Sequence, residues 1–158
     1  MNKRDQGRLS RVPAECPGYQ SRAAARALTR YYNSWFAPLG LTAEQFSLLI
    51  GIEAGAQPTA AYLAAASGLD ATTLSRNVQK LEIRRLVHAE GRGGRGGKRL
   101  SLTRSGHATL DKAVSRWTAA QRALSHRIGK DQVRATIRLM TALAAAARLT
   151  VPTGADRR

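Results

Sequence analysis

The side chains of this sequence that are best suited to chemistry lie on a predicted helix that begins after Asp70. Leu74, Val78 and Leu81 recur at the spacing of a buried helical stripe. Arginine can bind guanine through two hydrogen bonds, glutamine can bind adenine in the same way, and a threonine methyl group can contact thymine. We therefore predict DNA contacts from the polar and basic side chains of this helix: Thr72, Thr73, Ser75, Arg76, Asn77, Gln79 and Lys80.

The charge of this region distinguishes a DNA-binding face from an ordinary solvated helix face, which would carry charges of both signs. Between Thr72 and Arg104 there are nine basic residues and two acidic ones, Glu82 and Glu90. The basic residues are Arg76, Lys80, Arg84, Arg85, Arg92, Arg95, Lys98, Arg99 and Arg104. This bias favours DNA as the partner, although it assigns no residue to a particular base.

The residues before Asp70 complete a helix-turn-helix pattern. Thr59 is the predicted N-cap of a short helix, and Ser67-Gly68-Leu69 forms the turn that leads to the second helix. In this motif the second helix enters the major groove. We predict that Thr59 also contacts the DNA.

A glycine-rich segment, 91–97, lies between two strand-like runs and predicts a hairpin that would form a wing beside the helix-turn-helix. Its basic side chains are predicted to bind phosphates or a minor groove: Arg92, Arg95, Lys98 and Arg99. The glycines of this segment formally match a dinucleotide fingerprint, but that motif opens a helix, whereas a strand-like run follows here. Two Arg-Gly-Gly units are also typical of RNA binding, but they lie between two predicted strands.

The overall composition supports a polyanionic partner. The 158 residues include 26 Lys and Arg against 10 Asp and Glu, which gives a net charge of +16. The single cysteine excludes an internal disulfide and a zinc site built from several cysteines. No apolar run reaches the ~18 residues that a membrane span needs. We expect a cytoplasmic, nucleoid-associated protein without a metal ion or cofactor, and not an enzyme, because no nucleophile–base constellation is visible.

Hydrophobic periodicity predicts a mainly α fold of the α+β class, a winged helix-turn-helix with N- and C-terminal helices that form a dimerisation layer. The apolar surface from Leu110 to Ile128 is too long for the winged lobe to bury, so we expect a partner chain to pack against it. The alternative is an intramolecular helical pair. The predicted divisions are a flexible basic arm (1–15), an N-terminal dimerisation helix (16–40), the winged lobe (41–102), C-terminal dimerisation helices (103–149) and a polar tail (150–158).

Several short motifs, taken in order, resemble the MarR family of winged helix-turn-helix regulators over roughly residues 18–148. These motifs are Gly40-Leu41-Thr42-x-x-Gln45-Phe46, Leu63-Ala64, Asp70-x-Thr72-Thr73-Leu74-x-Arg76-Asn77-Val78-x-x-Leu81-Glu82, Leu86-Val87 and Leu102-Thr103-x-x-Gly106.

The resemblance implies a homodimer on a pseudo-palindromic operator, usually a repressor that a small ligand or oxidation releases. It places the recognition helix at Asp70 to Arg84 and the wing at Val87 to Leu102. Arg95 falls at the position of the wing-tip arginine of the family. The acidic residue that usually precedes that arginine is Gly94 here, which implies a more mobile wing.

The residues before the winged lobe suggest two kinds of signal that could regulate DNA binding. Cys16 lies just before the first predicted helix, where a thiol in a basic chain can become reactive; an inert thiol packed at the dimer interface is the alternative. The other candidate is a small aromatic effector in the pocket that the family has between the dimer helices and the DNA-binding lobe. The side chains predicted to line it are Tyr19, Arg22, Tyr31 and Trp35, although their spacing is equally typical of plain core. A sequence-independent nucleoid or RNA-binding protein remains the alternative function.

Overall fold

The structure is a computed structural model that describes residues 3–68, 70–91 and 97–149. Seven helices and one two-stranded antiparallel sheet are described in these ranges. In chain order they are α1 (Lys3–Glu15), α2 (Pro17–Phe36), a 3-10 turn (Ala37–Leu39), α3 (Ala43–Ala54), α4 (Ala60–Ser67), α5 (Ala71–Ile83), β1 (Val87–Glu90), β2 (Arg99–Leu102), α6 (Arg104–Ile128) and α7 (Lys130–Leu149).

Helix α1 occupies the segment that was predicted to be a flexible arm. The flexible arm was predicted from two features: the scarcity of apolar residues and Pro13, which lies inside this helix. An exposed ion pair one helical turn apart supports the helix: Nε of Arg11 lies 2.8 Å from Oε1 of Glu15. Residues 3–15 therefore form a helix, and the flexibility of this segment stays a prediction. The predicted polar tail lies outside the described residues.

Side chains cap the helix starts within the winged lobe, and the predicted cap Thr59 is one of them. Thr42 and Gln45 form a reciprocal capping box at the start of α3. The side-chain oxygen of Thr59 accepts from the backbone N–H of Tyr62, and that of Asp70 accepts from Thr73. Helix α7 begins at Lys130, so Asp131 lies in its first turn, where a carboxylate interacts favourably with the helix dipole.

The chain divides into two compact units, Met1–Trp117 and Thr118–Arg158. In the first unit, aliphatic side chains from α3, α4, α5, the sheet and the start of α6 form one core around Phe36. Leu110 and Ala113 of α6 belong to that core. For this reason the structural division falls inside α6, later than the predicted boundary at 103.

The second unit contains the end of α6, from Thr118 onward, and all of α7. Helix α7 exposes several large apolar side chains in the single chain, namely Ile137, Leu139, Met140 and Leu143. Apolar exposure on this scale is unusual for a monomer and is typical of a surface that another chain covers.

Candidate nucleic-acid interface

Helices α4 and α5 form the predicted helix-turn-helix. Gly68 ends α4 in the left-handed conformation, with φ +67°, which glycine adopts at little cost. The Asp70 cap then starts α5. The hydrogen bonds that the Asp70 carboxylate accepts from Thr73 hold the pKa of that carboxyl below its usual value. The short turn and the capped start together fix the direction of α5.

The burial of α5 fits the predicted stripe closely. Leu74, Val78 and Leu81 are buried in the core of the first unit. The side chains on the other side are exposed, with Thr73 half-buried at the edge. The exposed predicted residues are Thr72, Ser75, Arg76, Gln79 and Lys80.

Asn77 is the exception among the predicted contacts on α5. It is only 8% exposed, and its side-chain amide donates to the carbonyl oxygen of Thr73 and to Oε2 of Glu44, at 3.2 Å and 3.3 Å. This amide links the recognition helix to α3. Asn77, predicted to be a DNA contact, is therefore packed between α5 and α3 and is not part of the exposed surface of α5.

The cations of this surface are not neutralised by neighbouring acids. Among the described residues, no salt bridge involves Arg76, Lys80 or Lys98. Each of these side chains is exposed. An unpaired cation on such a surface is available to a phosphate or to a base edge.

The wing is anchored to the loop before α4. Val87 pairs with Leu102 and Glu90 with Arg99 in the antiparallel sheet. The backbone N–H of Leu100 donates to the carbonyl oxygen of Pro58 at 2.9 Å.

Arg99 adds an anchoring contact of its own, because its guanidinium donates to the carbonyl oxygen of Gln57 at 3.5 Å. Thr59, which forms an isolated bridge with Arg99, is half-buried and uses its hydroxyl as a helix cap. Lys98 stays exposed at the base of the wing. The predicted contacts Arg92 and Arg95 lie outside the described residues.

Arg84 follows α5 and has a role that the sequence did not reveal. Its guanidinium donates to the carbonyl oxygens of Gly40 and Leu39, at 2.6 Å and 2.9 Å. These carbonyls lie where α2 and the 3-10 turn end. The sequence counted Arg84 only as one more positive charge, because no local pattern indicates a contact across more than forty positions.

The predicted redox residue, Cys16, occupies the N-cap position of α2 and is half-buried. It borders a cavity of about 380 Å³ together with Arg11, Val12 and Glu15.

The predicted effector residues lie at two levels of α2. Tyr31 contacts the rings of Tyr32 and Trp35 edge to face, with centroids 5.2 Å and 6.3 Å apart. Tyr19 and Arg22 are exposed, nearer the start of the helix. None of these four residues lines the cavity formed by Arg11, Val12, Glu15 and Cys16 at the start of α2. The tyrosine and tryptophan rings instead extend the aromatic packing toward the core.

A different cavity of about 490 Å³, here called the α2–α4 pocket, lies in the first unit. Residues of α2, α3 and α4 line it: Thr29, Ala43, Glu44, Ser47, Leu48, Gly51, Leu63, Ala66 and Ser67. Its volume falls in the range of small-molecule sites. Glu44 is the one ionisable side chain among these lining residues.

The described part of the chain contains no group of three or more potential metal ligands. There is also no single described helix that is long and apolar enough to cross a membrane; only α2 with the 3-10 turn and α3, bent by 76°, meet the length and composition test as a pair.

The arrangement of α4, α5 and the β1–β2 wing defines a winged helix-turn-helix, and solved structures share it. The transcriptional regulator MosR of M. tuberculosis is 36% identical over 85% of this chain and 98% of its own, with a TM-score of 0.71. MosR in complex with DNA gives a TM-score of 0.69 at the same identity and covers 85% of this chain and 99% of its own. Wild-type MarR of E. coli, at 22% identity over 80% of this chain and 96% of its own, has the same fold with a TM-score of 0.66.

Sequence comparison agrees with the structural likeness. The MarR family profile matches residues 39–96. No curated protein sequence matches the chain. The chain belongs to the MarR family of transcriptional regulators, and the predicted fold class is confirmed.

Proposed function

We propose that this protein is a homodimeric repressor that binds a pseudo-palindromic operator in double-stranded DNA. The observation that carries the proposal is the surface of α5, where Thr72, Arg76 and Gln79 are exposed opposite a fully packed stripe. Arginine and glutamine are able to distinguish bases in the major groove. MosR, the relative with 36% identity, has been solved in complex with DNA, which supports the same partner here.

The exposed apolar side chains of α7 support the homodimer. Ile137 is 56% exposed and Leu143 is 46% exposed in the single chain. A second copy of α7 would cover them in a two-fold symmetric contact. Two-fold symmetry then requires two half-sites about one DNA turn apart, with one recognition helix at each.

Release from the operator is proposed to follow ligand binding or oxidation of Cys16. Either event must favour a state in which the two recognition helices no longer match the half-site spacing. The position of Cys16 at the start of α2, on the wall of a cavity, supports the oxidative route. Because Cys16 is the single cysteine of the chain, a disulfide would have to join two subunits or hold a small thiol.

The experiment is binding of the purified protein to DNA from upstream of its own gene, with and without excess bulk DNA, before and after peroxide. We expect binding that resists the competitor. If peroxide abolishes that binding, a thiol reductant should restore it and Cys16→Ser should be indifferent to peroxide. Binding that resists competitor but ignores peroxide would leave a ligand as the signal.

If bulk DNA erases binding to the upstream sequence and to selected genomic fragments alike, the protein binds without sequence preference and the repressor proposal fails.

A further inference from the structure

We propose that one side of α2 is a second surface for double-stranded DNA. This side, here called the α2 ridge, is formed by Tyr19, Arg22, Arg26 and Arg30. It holds the phosphate backbone of another duplex, without reading its bases, while α5 occupies the operator. The inference goes beyond the proposed repressor because it adds a DNA-bridging activity, and only the bridging step relies on operator binding.

The spacing of these residues places them on one side of the helix. They follow one another at three or four positions, and each position turns the chain by about 100° around the axis. Successive arginines of the α2 ridge therefore stand about 6 Å apart along the axis. All three arginines are exposed, and Tyr19 is 42% exposed. The α2 ridge is thus an accessible row of hydrogen-bond donors.

The packed side of α2 lies opposite the α2 ridge. Ala24, Leu28 and Trp35 recur along one line of the helix and are half-buried. Arg26 lies two positions from both Ala24 and Leu28, which is about 200° around the helix. A second subunit that packs on this apolar line would leave the arginines exposed.

The charge of α2 differs from that of an ordinary solvated helix, which carries both signs. Helix α2 contains three arginines and no acidic residue. In the part of the chain that the structure describes, no salt bridge involves any of these arginines. Like charges four positions apart destabilise a helix. A bound polyanion would neutralise them, which gives this costly arrangement a use.

A phosphodiester backbone fits the α2 ridge better than a lipid surface does. Guanidinium groups form paired hydrogen bonds with phosphate, and a tyrosine hydroxyl also donates to phosphate. The exposed residues beside the arginines include Ala25, Ala27 and Thr29, whose small side chains let a duplex approach closely. A helix that lies on a membrane instead places large apolar side chains below its basic residues. We therefore assign the α2 ridge to DNA.

The α2 ridge is separate from the exposed side of the recognition helix. The backbone N–H of Ala43 in α3 donates to Oδ1 of Asn33 in α2 at 2.7 Å. The next residue, Glu44, accepts from the amide of Asn77 in α5. Helices α2 and α5 thus bind neighbouring residues of α3, and each directs its exposed arginines away from its packed residues. We expect both surfaces to hold DNA at once.

Capture of a second duplex tests the proposal. Duplex DNA from upstream of the gene is fixed to beads and saturated with the full-length protein, and unbound protein is washed away. A fluorescent duplex of scrambled sequence is then added at several salt concentrations. We expect beads that carry the protein to retain this duplex more than beads that carry DNA alone. Equal retention by the two kinds of bead overturns the proposal.

The decisive variant is the double substitution Arg26→Gln with Arg30→Gln, which leaves α5 and the wing unchanged. We expect it to bind the upstream DNA as the unsubstituted protein does. For the second duplex, the slope of log K against log salt should fall by about 2, since each neutralised phosphate contributes about 0.9. Capture that survives unchanged would mean that a second recognition helix holds the duplex, which contradicts the α2 ridge.

The matched control is Arg134→Gln with Arg138→Gln. These two arginines are also exposed and four positions apart, but they lie on α7. The control removes the same charge and should capture the second duplex as the unsubstituted protein does. An equal loss in the two double variants would show that net charge, and not the α2 ridge, holds the second duplex.

Lipid vesicles and the order of the measurements separate the remaining outcomes. Retention of vesicles of phosphatidylserine and phosphatidylcholine, without retention of the duplex, would make the α2 ridge a membrane site and overturn the assignment to DNA. Protein retained on the upstream DNA is measured before the second duplex is added, and its absence contradicts the proposed repressor. The α2 ridge is then tested on the scrambled duplex alone, where the two double variants must still differ in salt slope.

Discussion

Gly106 lies against the backbone of Leu86 so closely that a Cβ atom on Gly106 would stand 2.0 Å from the Leu86 carbonyl oxygen. That carbonyl also accepts the backbone N–H of Thr103, at 3.1 Å. The start of α6 is thus held against the entry to the wing, in a space that admits no side chain.

Gly106→Ala should therefore destabilise the first unit, because the helix must move away from a hydrogen-bonded carbonyl. We expect a loss of about 3 kcal/mol in the free energy of unfolding, the upper part of the range for overpacking. Urea denaturation measures it. Gly18→Ala is the control, since its new Cβ would meet only Arg22 and Cys16 at 3.6 Å and 3.9 Å; that variant should be neutral or more stable. Equal stability of both variants would contradict the close contact.

The sequence predicted most of this architecture because its signals are local. Capping by Thr42, Thr59 and Asp70 involves residues three positions apart, and the spacing of apolar residues indicates which side of a helix is buried. The contacts that the sequence did not predict join residues that are far apart along the chain. Arg84 reaches Gly40 and Leu39, and Glu44 meets Asn77 thirty-three positions away, without any periodic signature.

Arg84→Ala tests one of these long-range contacts. It removes two hydrogen bonds from a charged donor to the carbonyl oxygens of Leu39 and Gly40. We expect a loss of about 1–2 kcal/mol in stability, reduced from the buried value because the contact is exposed. Arg85→Ala removes the same charge one residue later and should change stability less. A result in which the two variants lose the same amount would show that net charge, not the contact, matters.

Arg76 and Lys98 should affect DNA binding differently. Arg76→Ala removes the exposed arginine of α5 and should abolish the preference for the operator over other sequences. Lys98→Ala removes a charge at the base of the wing, so it should weaken binding to all sequences about equally and reduce the slope of log K against log salt by about 1.

Titrations of fluorescent operator and scrambled duplexes at several salt concentrations separate these two effects. Operator preference that survives in Arg76→Ala would mean that α5 presents a different face to the DNA.

Asp70 gives the stability of α5 a defined dependence on pH. Its pKa is lowered in the folded chain by hydrogen bonds from Thr73. A lowered folded pKa means that the contribution is present above the unfolded pKa and is lost as pH falls through the folded pKa. Asp70→Asn keeps a capping oxygen that does not titrate. In urea denaturation from neutral to acidic pH, the unsubstituted chain should lose stability relative to this variant; parallel curves would contradict the assignment.

The surface of α7 provides the test of the homodimer. Leu143 is 46% exposed in the single chain, and a glutamate there would be buried without a partner if a second copy packs on this surface. We expect Leu143→Glu to shift the protein to a monomer in light scattering and to weaken operator binding, because one half-site alone offers half of the contacts. Ala145→Glu adds the same charge on the side of α7 that carries Arg134 and Arg138, and should leave the mass unchanged. A Leu143→Glu protein that keeps the mass of a dimer would place the subunit contact on other helices.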